Sequence, residues 1–193
     1  MIVGIDEAGR GSLVGPLVIA FVFSDHPLDF VDKDSKQLSP KEREQLYQKI
    51  KQHAKVVLVK LSPSEIDANN INWLELQALQ KVLSTYKAEK AFIDAFTDPK
   101  KIESVLPIPV QAEFKADEKY SIVAAASIAA KVERDKEIAK IADKIGFFGS
   151  GYPSDPITRD YVKNHPEKIE PYVRKKWSTL KELLAPKQHT LDD

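Results

Sequence analysis

Short apolar runs alternate along this chain with longer segments in which apolar residues recur every three to four positions. The runs "MIVGIDEA" (1–8), "PLVIAFVFS" (16–24), "KVVLVKLS" (55–62), "KAFIDAF" (90–96) and "PVQAEF" (109–114) are rich in strand formers and too short for long helices. Each predicts a strand. The segment after Leu38 predicts a helix: Ser39 suits the N-cap, Pro40 the first helical position, and Glu42 completes a capping box. "SPSE" at 62–65 repeats that signal. "INWLELQALQKVLSTY" (71–86) has helical spacing, with Trp73, Leu76, Leu79 and Leu83 along one expected stripe. A long helix is expected over 121–145, its first half "SIVAAASIAAKV" dense in small apolar residues suited to close packing on a sheet. Asp155-Pro156 restarts a helix through about Asn164, and "EPYVRKKWSTLKELL" (170–184) reads as a last helix.

The order is therefore strand, strand, helix, strand, helix, strand, strand, helix and a helical end. A short glycine loop joins the first two strands and favours an antiparallel pair. The helical crossover into the fourth favours a parallel one. The expected fold class is α/β, a mixed sheet with a small helical C-terminal extension. The expected division is a sheet-bearing domain over 1–148, a helical subdomain over 149–185 and a flexible tail over 186–193.

Composition narrows the chemistry. With 193 residues and 42% hydrophobic content the chain can bury a sizeable core. No apolar run approaches the roughly 20 residues of a membrane span, and "MIVGID" shows no leader pattern, so a cytoplasmic, membrane-free protein is expected. Cysteine is absent, which excludes disulfides and thiolate metal sites. Net charge is zero, so a nucleic-acid partner would be met by a local basic patch.

The distribution of glycine changes the picture more. Of seven glycines, Gly4, Gly9, Gly11 and Gly15 surround Asp6 and Glu7, and Gly146, Gly149 and Gly151 form a second cluster. Asp6 and Asp94 interrupt apolar strands, where an unpaired carboxylate is costly. A strand-end aspartate capping a loop accounts for either alone. Two of them on neighbouring strands would stand about 5 Å apart, and such a pair calls for a proton or a cation between them. A hard divalent ion such as Mg²⁺ suits oxygen ligands. Glu7 can join that site only if the strand ends or twists there, since adjacent strand residues face opposite ways. Asp117, just after the fifth strand, reads either as a further ligand or as a helix-initiating aspartate.

The motifs "GIDEAGRG", "DSKQLS", "FIDAF", "KADEKYSIVAAASIAAKVERD" and "SGYPSDPITRDYV" resemble type 2 ribonuclease H in order and spacing, over residues 2–177. The resemblance implies a ribonuclease H-like five-stranded mixed sheet flanked by helices. It implies an endonuclease that cuts the RNA strand of RNA–DNA hybrids and cuts at ribonucleotides embedded in duplex DNA, leaving 5′-phosphate and 3′-hydroxyl. By motif, Asp6, Glu7, Asp94 and Asp117 match the family's catalytic acids, expected to bind two Mg²⁺ or Mn²⁺ ions. Gly9, Arg10 and Gly11 match the loop that reads the 2′-hydroxyl, and Tyr152 the tyrosine that stacks on the sugar at the RNA-to-DNA junction. Ser12 stands where proline is usual and Phe114 where many members have histidine.

Further candidates remain two-sided. Arg10 contacts phosphate or braces the acids. Ser35, Lys36 and Lys115 are candidate phosphate contacts. Arg134 and Asp135 read as structural charges, and Trp73 and Trp177 as packing residues. "VRKKW" reads as a basic stripe on a duplex or a solvated helical turn. Gln188 and Leu191 have the spacing of a sliding-clamp box without its aromatic pair. The competing functions are a DNA nuclease or resolvase of related fold, which the "GRG" loop and Tyr152 disfavour, and a non-catalytic nucleic-acid-binding module, which the retained acids disfavour.

Overall fold

The computed structural model describes residues 1–31 and 38–185, and the candidates Ser35, Lys36, Gln188 and Leu191 lie outside them. Five strands, β1 (Ile2–Ala8), β2 (Leu17–Ser24), β3 (Lys55–Leu61), β4 (Lys90–Asp94) and β5 (Val110–Glu113), form one sheet in the order β3-β2-β1-β4-β5. β1 pairs antiparallel with β2, and β2 with β3; β1 pairs parallel with β4, and β4 with β5. The helices are α1 (Pro40–His53), α2 (Pro63–Ala68), α3 (Ile71–Thr85), α4 (Pro99–Val105), α5 (Ser121–Ile145), α6 (Pro156–Asn164), α7 (Pro166–Ile169) and α8 (Ser178–Leu184). Both capping boxes form: Ser39 and Glu42 cap α1, and Ser62 and Glu65 cap α2.

Strand alternation sorts the core into two layers. Ala20 and Val22 of β2 and Ala8 of β1 pack under α5 and α1. Val3, Ile5, Phe21 and Ile93 pack against α3, with Ile66 of α2 and Ile102 of α4. A third cluster joins Leu13 and Val14 to Ile141, Phe148 and the apolar faces of α6, α7 and α8. No helix among the described residues is long and apolar enough to cross a membrane.

Three details differ from the pattern reading. Of the expected stripe Leu79 and Leu83 are buried and Leu76 half-buried, but Trp73 is 52% exposed, and Glu75, Ala78 and Val82 complete the buried face of α3. The expected stripe is thus rotated by a residue or two, because a buried ion pair at Glu75 draws that side inward. The helix α4, opened by Asp98 as its cap, is additional. The expected final helix is broken: a short 3₁₀ turn (Glu170–Tyr172) leads into an extended stretch at Val173, which bridges Val14, and only α8 is helical thereafter. Backbone pairing to the Val14 loop overrides the helical periodicity of that segment.

Candidate active site

The acids meet at one end of the sheet. Parallel pairing of β1 with β4 runs to Ile5 beside Ile93, and one step further along come Asp6 and Asp94. Asp94 closes β4 beside Glu113 of β5, and its Oδ1 accepts the Ala116 N–H at 2.9 Å. That bond ties down the turn carrying Asp117, which sits in a 3₁₀ turn (Ala116–Glu118) and is buried. Lys115, in the link between, is the one non-glycine residue at positive φ among the described residues (φ 60°). Its ammonium lies 3.7 Å from Glu118 at the surface.

The first half of α5 seats itself on β1 through Gly4. A Cβ there would lie 2.1 Å from the Ile122 carbonyl oxygen, so helix and strand backbones touch directly. This close approach brings Ser127, the one polar residue in the run 122–130, to hydrogen-bond the Asp6 carboxylate. Asp6 Oδ1 also accepts the Glu7 N–H at 2.7 Å. Burial pushes the Asp6 carboxyl up from 3.8 to about 7. The Ser127 hydroxyl and the Glu7 amide oppose that rise, while Asp94 and, less, Asp117 add to it. Glu7 is likewise pushed up from 4.5 to about 8, by burial first and then by Asp6, against the pull of Arg10. Asp6 and Glu7, pushed toward their protonated forms by burial and by the acids beside them, are carboxylates that a divalent cation would relieve. Its donors are all hard oxygens, the class that Mg²⁺ and Mn²⁺ take. Among the described residues no three acidic or imidazole side chains already close into a compact coordination group. The cluster is defined by the convergence of the four acids at one end of the sheet and by the fields of Asp94 and Asp117 on Asp6 and of Asp6 and Asp94 on Glu7.

Strand β1 runs to Ala8, as its apolar pattern predicts, so Glu7 lies inside the strand and not at its end. Glu7 nevertheless feels Asp6 and Asp94, because β4 stops at Asp94 and leaves residue 7 beyond its neighbour's end. Arg10 braces this corner. Its guanidinium pairs with the carboxylate of Glu75, which is 1% exposed, bonds Asn72, and lies over the Phe96 ring at 5.3 Å. The guanidinium is thus held by Glu75 and Asn72 rather than by the acid cluster itself, and reaches that cluster through its pull on Glu7.

The two glycine clusters converge. Gly9 takes φ 91°, and Ser12 closes the turn by donating its hydroxyl to the Gly9 carbonyl at 2.8 Å, at the position where the resembled family usually has proline. The Leu13 and Val14 N–H groups donate to the Gly151 carbonyl at 2.8 and 3.0 Å. Asp155 and Thr158 hold the second loop by accepting from the Ser150 and Gly151 amides. Tyr152 leaves this loop half-buried, its ring under the Arg134 guanidinium at 4.4 Å.

Arg174, within "VRKKW", is fully buried rather than solvated. Its guanidinium donates to the carbonyls of Arg10 and Gly9, each at 2.6 Å, and of Gly15 at 3.3 Å. With those carbonyls turned inward, the Arg10 and Gly11 amides find no acceptor among the described residues. Sequence reasoning missed Ser127, Glu75 and Arg174. Ser127 carried a signal, as a lone hydroxyl in a small apolar run. Arg174 carried none, since its neighbours Lys175 and Lys176 give the segment the pattern of a solvated face.

The family model for ribonuclease HII matches residues 3–180. A ribonuclease HII of Methanoregula boonei is 44% identical over 204 residues, covering 97% of this chain and 96% of its own. The crystal structure of ribonuclease H2 from Pyrococcus horikoshii superposes with a TM-score of 0.84 at 39% identity, covering 95% of this chain and 96% of that one. The RNase HII solved in complex with PCNA from Archaeoglobus fulgidus superposes with a TM-score of 0.88 at 40% identity over the whole of both chains.

Proposed function

The chain belongs to the ribonuclease HII family, and on that premise we propose that it hydrolyses the RNA strand of RNA–DNA hybrids and also cuts at single ribonucleotides embedded in duplex DNA. The observation that carries the reading is the acid cluster at the C-terminal ends of β1 and β4, where Asp6 and Asp117 are buried, Glu7 and Asp94 are half-buried, and the Ala116 amide ties Asp94 to the turn that carries Asp117. Asp6, Glu7, Asp94 and Asp117 would hold two Mg²⁺ or Mn²⁺ ions, which when bound supply an activated water and charge neutralisation at the phosphate and the leaving 3′-oxygen. The products are a 5′-phosphate and a 3′-hydroxyl.

The protein's own groups have separable tasks. Ser127 and the Glu7 amide hold the Asp6 carboxylate in one orientation. The Ala116 amide does the same for Asp94. The inward carbonyls of Gly9 and Arg10 leave the adjoining amides free to meet the 2′-hydroxyl, the group that separates RNA from DNA. Tyr152, at the joined edge of the same loop pair, would pack against a sugar. Lys115, whose side chain is largely exposed, is suited to a phosphate. Gln188 and Leu191 are proposed as a sliding-clamp contact, a reading supported by the PCNA complex of the Archaeoglobus relative.

The deciding experiment is cleavage of a DNA duplex carrying one ribonucleotide, with and without Mg²⁺, beside an all-DNA duplex. Cutting at the ribonucleotide that requires the metal supports the proposal. Efficient cutting of the all-DNA duplex would favour a DNA nuclease instead.

A further inference from the structure

Arg134 projects from α5 into the seam between the two glycine loops and is 4% exposed. It touches both. Its Nη2 donates to the Ser150 carbonyl at 3.1 Å, and its guanidinium covers the Tyr152 ring. A Cβ at Gly9 would lie 2.4 Å from its Nε and one at Gly151 3.2 Å from its Nη2, so both loops run close against it, as they do against the Pro16 and Val14 carbonyls at 2.7 and 2.9 Å. Among the described residues no carboxylate forms an ion pair with Arg134; Asp135 acts on it only through its field. Arg174 stands close enough behind it for the two cations to repel. Burying a guanidinium without a salt-bridge partner, near a second cation, opposes stability. A packing role alone would be served as well by methionine or leucine. What an apolar residue would not reproduce is the flat cation on the face of Tyr152 together with the bond to the Ser150 carbonyl.

We propose that Arg134 is the positioning residue of Tyr152: it holds the ring against the Gly9 loop, so that ring and loop meet one substrate sugar as a single rigid surface. The inference rests on the reading of Tyr152 as a substrate contact. Arg134 does not touch the substrate and acts only through Tyr152.

A double-mutant cycle tests this on the duplex with one embedded ribonucleotide, under single-turnover conditions at saturating Mg²⁺. Tyr152→Ala is expected to slow cleavage about ten- to hundredfold, the loss of one sugar contact made in the transition state. Arg134→Met is expected to slow it about tenfold in the wild-type background, the scale of a desolvated cation–π contact, and less than about twofold once Tyr152 is already alanine. The Mg²⁺ concentration giving half-maximal rate should be the same in all four proteins, which a general distortion of the site would not allow. Equal slowing by Arg134→Met in both backgrounds, or none in the wild type, overturns the proposal. If Arg134→Met does not fold, Arg134→Lys decides in the same cycle. It keeps the charge and loses the flat stack, and it should slow the wild type and not the Tyr152→Ala protein; equal effects overturn the proposal. A Tyr152→Ala protein as fast as wild type overturns the underlying reading as well, and is told apart because the tyrosine variant itself then shows no effect.

Discussion

Replacing Gly4 with alanine tests whether direct backbone contact between β1 and α5 sets the site. The added methyl would stand 2.1 Å from the Ile122 oxygen, 2.3 Å from its carbonyl carbon and 2.8 Å from the Val123 nitrogen. All three are backbone atoms, so no side-chain rotation can relieve the overlap. The methyl falls roughly 1.3 Å inside ordinary contact, and the start of α5 must retreat by a similar amount in an interior with no slack. Ala125, Ala126, Ile128 and Ala129 of that helix are fully buried, so the shift propagates along the sheet face. Overpacking of this kind costs about 1–3 kcal/mol. The lower chain entropy of alanine in the unfolded state returns about 0.4–1 kcal/mol, leaving a net loss of about 1–2 kcal/mol. The retreat also draws Ser127 from Asp6, and a displacement near 1 Å costs on the order of a hundredfold in rate. Urea unfolding and single-turnover cleavage measure the two effects. Gly11→Ala is the stability control, because no atom lies within 4 Å of its added methyl and its φ is not positive; it should be as stable as wild type or more stable by up to about 1 kcal/mol. Wild-type stability and rate in Gly4→Ala would refute the argument.

Three further outcomes are expected. Asp94→Asn should abolish Mg²⁺-dependent cleavage while circular dichroism stays unchanged; near-normal activity would remove Asp94 from the catalytic set. Asp6 and Glu7 bind protons more tightly folded than unfolded, so their contribution to stability is fully present below about pH 4 and is lost as pH rises toward about 8. Urea midpoints in EDTA should therefore fall across that window, and less steeply in Asp6→Asn; identical slopes would contradict the assignment. Arg10→Met should destabilise by about 3–5 kcal/mol because it strands the buried Glu75 carboxylate. The double change with Glu75→Met should recover much of that loss in the same unfolding assay.

Local rules made much of the fold legible. Short apolar runs rich in strand formers marked all five strands, the Ser-Pro-x-Glu boxes marked two helix starts, and the small residues of "SIVAAASIAAKV" marked a helix packed tightly on the sheet. Asp6 and Asp94 stood out because an acid in an apolar strand is a local contradiction, visible without any knowledge of neighbours.

Other features depend on contacts between distant positions, which local patterns do not record. Arg174 and Gly9 are 165 residues apart, and nothing in "VRKKW" separates a buried cation from its solvated lysine neighbours until backbone carbonyls surround it. Trp73 points outward because Glu75 is pulled inward by Arg10, a partner on another element. Glu7 reaches the acid cluster because β4 ends one residue past its last pairing with β1, a fact of register and not of the strand that carries Glu7. The five strands, the main helices and the places where carboxylates and glycines gather were written in local patterns, whereas α4 and the break at Val173 were not. Only the tertiary structure decided which charges are buried and what they hold, because the cost of burying a charge is offset by groups brought close through folding rather than by neighbours along the chain.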